Sequence, residues 1–87
     1  MKNSLEIKNY LDEYGKIKAL PKKSKPKLTV LTYLSLKFSK DVIYSESEVN
    51  EIIKNWHTFG DWALLRRELF ESNLLDRKKD CSEYWLK

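Results

Sequence analysis

The sequence predicts a small α+β domain, mostly α-helical, that ends in a β-hairpin. Three observations predict it. Val49, Ile52, Ile53 and Trp56 recur at i, i+3, i+4 and i+7 behind a Ser45–Glu48 pair with capping-box spacing. Trp62, Leu65 and Leu69 continue helical spacing after the turn signal Gly60-Asp61. Beyond Asn73 the pattern shortens to Leu74-Leu75-Asp76-Arg77 and Glu83-Tyr84-Trp85-Leu86, two strand-like runs around the turn Lys78 to Ser82.

The elements follow in order. Ser4 to Tyr14 reads as a short helix: Asn3 and Glu6 have capping spacing, Leu5, Leu11 and Tyr14 fall near one face, and Gly15 suits a left-handed end. Gly15 to Lys23 reads as a basic linker, because Pro21 disfavours helix at Leu20. Residues 1–23 thus form an N-terminal helix and linker, and residues 24–87 the main domain, in one compact unit. A second helix starts near Ser24, whose hydroxyl is the expected cap, with Pro26 in the first turn, where a missing N–H costs nothing. Leu28, Leu31, Leu34 and Phe38 mark its expected buried stripe. Val42-Ile43-Tyr44 is β-branched and aromatic, hence a brief strand that could pair with the hairpin, since a lone hairpin is marginal in water. In the last helix Leu64, Arg67 and Glu71 face away from the core, Phe70 lies at the edge, and Asn73 ends it in a left-handed conformation. The order is that of a winged helix-turn-helix with an extra N-terminal helix and a small C-terminal hairpin wing.

Composition bounds what such a domain can do. A chain of 87 residues buries only roughly 60–65% of its unfolded surface, so one core serves the whole. No apolar run approaches the ~18 residues of a membrane span, and Met1-Lys2-Asn3-Ser4 leads into no signal-peptide core. A single cysteine, Cys81, excludes an internal disulfide and favours the cytoplasm. The net charge of +4 is unevenly spread. Residues 1–40 carry ten lysines against Glu6, Asp12 and Glu13, a balance of +7. Residues 41–76 set Lys54, Arg66 and Arg67 against eight acids, giving −5, and residues 77–87 return to +2. From Lys16 to Lys27 there are six lysines and no acid. That stretch is either a solvated connector or an attractor for nucleic acid.

Several blocks carry a family resemblance: Lys18-Ala19-Leu20-Pro21-Lys22-Lys23, then Tyr44-Ser45-Glu46-Ser47-Glu48-Val49-Asn50-Glu51-Ile52, Asp61 with Leu65-Arg66-Arg67-Glu68-Leu69, Leu74-Leu75-Asp76-Arg77, and Tyr84-Trp85. In this order and spacing, over residues 16–86, the chain resembles the domain-of-unknown-function family numbered 2087. Those are small domains found alone or fused to regulator-like helix-turn-helix segments in bacteria. The resemblance implies a winged-helix fold and a regulatory role, and no agreed activity. Leu65 to Leu69 is also similar to recognition helices of sugar-operon-type repressors, where an arginine pair follows a buried aliphatic residue. Such helices usually carry hydroxyl or amide residues near their start; this one offers Trp62, Ala63 and Leu64, which argues against base reading.

The candidate contacts to double-stranded DNA are therefore Lys22, Lys23, Lys25 and Lys27, the arginines Arg66 and Arg67, and the wing residues Lys78 and Lys79. Guanidinium forks suit guanine edges or phosphates, and lysines hold phosphates without reading sequence. Arg66 has an alternative: a pairing with Glu48 or Glu51 that locks two helices together. A different class of reading is a protein-interaction module or homodimer that uses the Leu64 and Glu71 face. The three tryptophans and five tyrosines suit a small core better than a stacking platform. His57 has no second ligand at metal spacing, and a Cys81–His57 nucleophilic pair lacks an orienting group. With only Gly15 and Gly60 there is no glycine-rich phosphate loop. The expectation is a binding module rather than an enzyme, with no catalytic residue, no metal and no cofactor.

Overall fold

A computed structural model describes residues 7–87. It contains helices α1 (Ser24–Ser35), α2 (Glu46–Asn55) and α3 (Trp62–Glu71), followed by strands β1 (Leu75–Arg77) and β2 (Tyr84–Leu86). Helix α3 packs against α2 on one side and α1 on another, and β1 leaves directly from its end. The domain is mostly helical, with a two-stranded antiparallel hairpin at the C-terminus.

The local signals around α2 and α3 act as their spacing predicts. The Ser45 hydroxyl accepts the Glu48 N–H at 3.1 Å, and the Glu48 carboxylate accepts the Ser45 N–H at 2.8 Å. Two otherwise orphaned donors are thereby satisfied, and the carboxylates of Glu46 and Glu48 lie in the first turn, where the helix dipole favours them. The Asp61 carboxylate caps α3 by accepting the Leu64 N–H at 3.3 Å. Val49 and Ile53 on α2 and Leu65 and Leu69 on α3 are fully buried, each a stabilisation of about 1.5–3 kcal/mol before entropy is counted. Asn73 takes a positive φ of 66° and turns the chain into β1. Across the hairpin Leu75 faces Leu86, Asp76 faces Trp85 and Arg77 faces Tyr84.

Helix α1 departs from its expected details. Its cap is Lys23, which makes no side-chain capping bond; Ser24 is already the first helical residue. Val30, Leu31 and Leu34 are buried, with Phe38 beyond the helix end, while Leu28 is 49% exposed. Three-residue steps advance a helix by ~300°, so a stripe built on them slips ~60° each time. Two such slips carry Leu28 off the face that Leu34 buries. The predicted strand Val42-Ile43-Tyr44 is reduced to one residue. Tyr44 exchanges two backbone hydrogen bonds of 2.8 Å with Tyr84, and its ring meets Phe38 edge-on, with centroids 5.3 Å apart. Val42 and Ile43 remain exposed.

The N-terminal helix expected over Ser4 to Tyr14 is corrected from Asn9 onward; its start lies outside the described residues. Ile7 and Lys8 are helical, and the chain then makes a tight hairpin in which Leu11 bridges Ile17. Asp12 causes the reversal. Its carboxylate accepts the N–H groups of Tyr14 and Lys16, both at 2.9 Å, which competes successfully with helix hydrogen bonding. Gly15 completes the turn at φ 79°, and its carbonyl accepts the Tyr33 hydroxyl at 2.7 Å. The supposed linker therefore opens with a core residue. Ile17 is fully buried and runs parallel to the end of α2: its N–H donates to the Trp56 carbonyl at 2.8 Å, and its own carbonyl accepts the Thr58 N–H at 3.0 Å.

Candidate nucleic-acid interface

The eight predicted contact residues divide by what they already hold. Lys22, Lys23 and Lys25 stand exposed at the start of α1, and Lys79 stands exposed in the β1–β2 turn. Among the described residues none of these four has a carboxylate within 4.0 Å. The other four are paired. Lys27 reaches Glu68 on α3 at 3.6 Å, in a half-buried bridge that ties α1 to α3. Lys78 reaches Glu83 across the hairpin at 3.4 Å. Arg67 lies 3.9 Å from Glu71, one turn along the same exposed helix face. Arg66 spans two helices: it donates to the Asn50 side-chain carbonyl and lies 3.9 Å from Glu46, so α2 holds it by other partners than the expected Glu48 or Glu51.

Three of these residues, Arg66, Arg67 and Lys27, meet around α3. Arg66 and Arg67 open onto a concavity of about 480 Å³ on the outer face of α3, walled also by Leu64, Asp61, Glu71 and Arg77. Glu71 lines a second, shallower groove, shared with Ser24, Lys27 and Glu68 at the start of α1. The lysine-rich turn and the arginines thus flank the C-terminal half of α3 from two sides. The face proposed for a protein partner, Leu64 with Glu71, is this same face, and Leu64 is half-buried within it.

Arg77 was missed as a site residue. Its strand position read only as hairpin, yet the register sets it opposite Tyr84, and its guanidinium lies 3.9 Å from the centroid of the Phe70 ring. Phe70 at the edge of α3, seven residues before Arg77, was the available signal. Burial pushes the Tyr84 hydroxyl above its usual 10.0, and the guanidiniums of Arg77 and Arg66 beside it act in the opposite direction. In the turn, the Ser82 hydroxyl and then its N–H hold Asp80 below the usual 3.8.

His57 and Cys81 serve separate places. His57 is buried after α2, with Nδ1 2.6 Å from the Ile53 carbonyl and its ring edge-on to Phe59. Cys81 sits at φ 63° in the hairpin turn, beside Tyr84. Among the described residues no three His, Cys, Asp or Glu side chains gather as a metal site, and no helix is long and apolar enough to cross a membrane.

A family model described as "Uncharacterized protein conserved in bacteria (DUF2087)" matches residues 16–86. The chain belongs to this family. The match spans the blocks from Lys18 to Trp85. No curated protein and no solved structure matches the chain. The DUF2087 description names no activity, so the chemistry of α3 and its basic flanks has to supply the functional reading.

Proposed function

We propose that this DUF2087 domain is a winged-helix DNA-binding module with a transcription-regulatory role in the cytoplasm, and that it holds the duplex by its backbone. One observation carries the reading: among the described residues Lys22, Lys23 and Lys25 at the start of α1 and Lys79 in the β1–β2 turn are exposed with no carboxylate within 4.0 Å, while Lys27, Arg67 and Lys78 are paired with Glu68, Glu71 and Glu83. Free lysines release counterions from DNA, whereas paired ones must first give up a partner. Arg66 acts as a brace between α2 and α3 rather than as a reader. The reading assigns no catalytic step to any residue. It is tested by fluorescence anisotropy of a labelled random-sequence duplex at several salt concentrations. Binding should weaken with salt at a log–log slope of roughly −0.9 per neutralised phosphate. Joint replacement of Lys22, Lys23 and Lys25 by Ala should flatten that slope; a slope equal to wild type removes these residues from the interface.

A second reading, a protein-interaction module, is favoured by the exposed Ile43, which with Trp85 and Leu86 forms the apolar part of a hollow of about 490 Å³ also lined by Asp41, Lys78 and Glu83. If it holds, Ile43→Asp will abolish self-association seen by sedimentation and leave duplex binding untouched.

A further inference from the structure

We infer that the concavity between α3 and β1 is a phosphate site, in which Arg77 and Arg67 supply two guanidinium forks and Arg66 a fixed background charge. Arg77 is the core of the inference. It is half-buried, with its guanidinium over the Phe70 ring and beside the Tyr84 hydroxyl, and among the described residues no carboxylate pairs with that guanidinium, the Asp76 carboxylate accepting only the Arg77 backbone N–H at 2.8 Å. A guanidinium stacked on an aromatic ring has already lost much of its rotamer freedom, while its hydrogen-bonding edge stays available. Arg67 approaches from the helix side, and among the described residues its ion-pair partner is Glu71 at 3.9 Å, with both side chains well exposed. Such a pair is weak enough for a stronger anion to redirect the arginine.

The two arginines that carry the site are loosely held. Among the described residues no carboxylate pairs with the Arg77 guanidinium and Arg67 is paired by the exposed Glu71 at 3.9 Å, while Asp61 serves as the cap of α3 and Glu46 holds Arg66. Two forks arriving from different elements suit a tetrahedral group with several terminal oxygens. The volume of about 480 Å³ admits a phosphoryl group with part of the molecule that carries it. The inference relies on the DNA reading only for the source of that group, which is a duplex phosphodiester or a free phosphorylated molecule.

The test uses inorganic phosphate against chloride at matched ionic strength, read by thermal shift and by the Arg77 Nε–Hε resonance. Phosphate should raise the melting temperature saturably and move that resonance. R77K keeps the charge but loses both the fork and the planar stacking, so it should weaken phosphate about ten- to a hundredfold, and R67Q should also weaken it. No difference between phosphate and chloride, or equal phosphate affinity in wild type, R77K and R67Q, would overturn the site. A duplex that displaces phosphate and is weakened by R77K identifies the diester as the source; a duplex indifferent to R77K identifies a free phosphorylated molecule. The two readings fail separately. Salt-dependent duplex binding without a phosphate effect sinks this inference alone, and phosphate binding without duplex binding sinks the DNA reading alone.

Discussion

The two basic regions that flank α3 are built on opposite principles. At the start of α1 the lysines project from a helix end that has no side-chain cap and no acid in its first turn. Around α3 and the hairpin, the cations are woven into the fold: Lys27 to Glu68, Arg66 to Asn50 and Glu46, Arg77 onto Phe70. Surface charges that touch nothing are nearly neutral for stability, whereas half-buried, hydrogen-bonded charges are not. Equal residue types thus divide into one region whose loss should cost binding alone and another whose loss should also cost the fold.

The largest test of that contrast lies beneath both regions. Ile17→Ala should destabilise the domain by about 2–5 kcal/mol in urea unfolding, because the fully buried side chain leaves a cavity between the N-terminal hairpin and α2. A cost near zero would mean that the residues before α1 are an appendage after all. Gly15→Ala should cost about 1–2 kcal/mol, since the turn needs φ 79° and an added Cβ would stand 3.1 Å from the Tyr33 hydroxyl.

Arg66→Ala should come next, at about 1–2 kcal/mol for the lost charge-assisted bond to Asn50, with duplex affinity falling less than in the triple lysine variant. The triple lysine-to-alanine variant at positions 22, 23 and 25 should stay within about 0.5 kcal/mol of wild type while losing duplex affinity. If those two outcomes were exchanged, the division of roles would be reversed. The smallest effect is a pH dependence at the hairpin. Tyr84 keeps its proton above the usual 10.0, so its contribution to stability is complete below that value and is lost as pH rises through the higher folded value. A spectrophotometric titration should show one tyrosine ionising only with alkaline unfolding.

Much of the fold was legible because its signals are local. The Ser45–Glu48 box, the Asp61 cap, the stripes of α2 and α3, the turn at Asn73 and the hairpin each depend on residues within about a dozen positions of one another. The N-terminal segment misled for a related reason. Helical spacing of Leu11 and Tyr14 was present, but the Asp12 carboxylate offered the backbone a competing set of hydrogen bonds. Leu28 misled because a three-residue repeat drifts around the helix, and only packing against α3 decides which end of the drift is buried.

The candidate site was legible as an inventory and not as an arrangement. The sequence by itself determined where the cations lie along the chain, which helices are capped, and that a hairpin follows α3. Only the tertiary structure decided that Lys27 is taken by Glu68, forty-one residues away in the chain, that Arg66 braces two helices, and that Arg77 meets Arg67 in one hollow. The reason is the range of the forces. Capping and periodicity act through neighbouring backbone groups, but a charge is free or spent according to whatever the fold brings within about 4 Å of it.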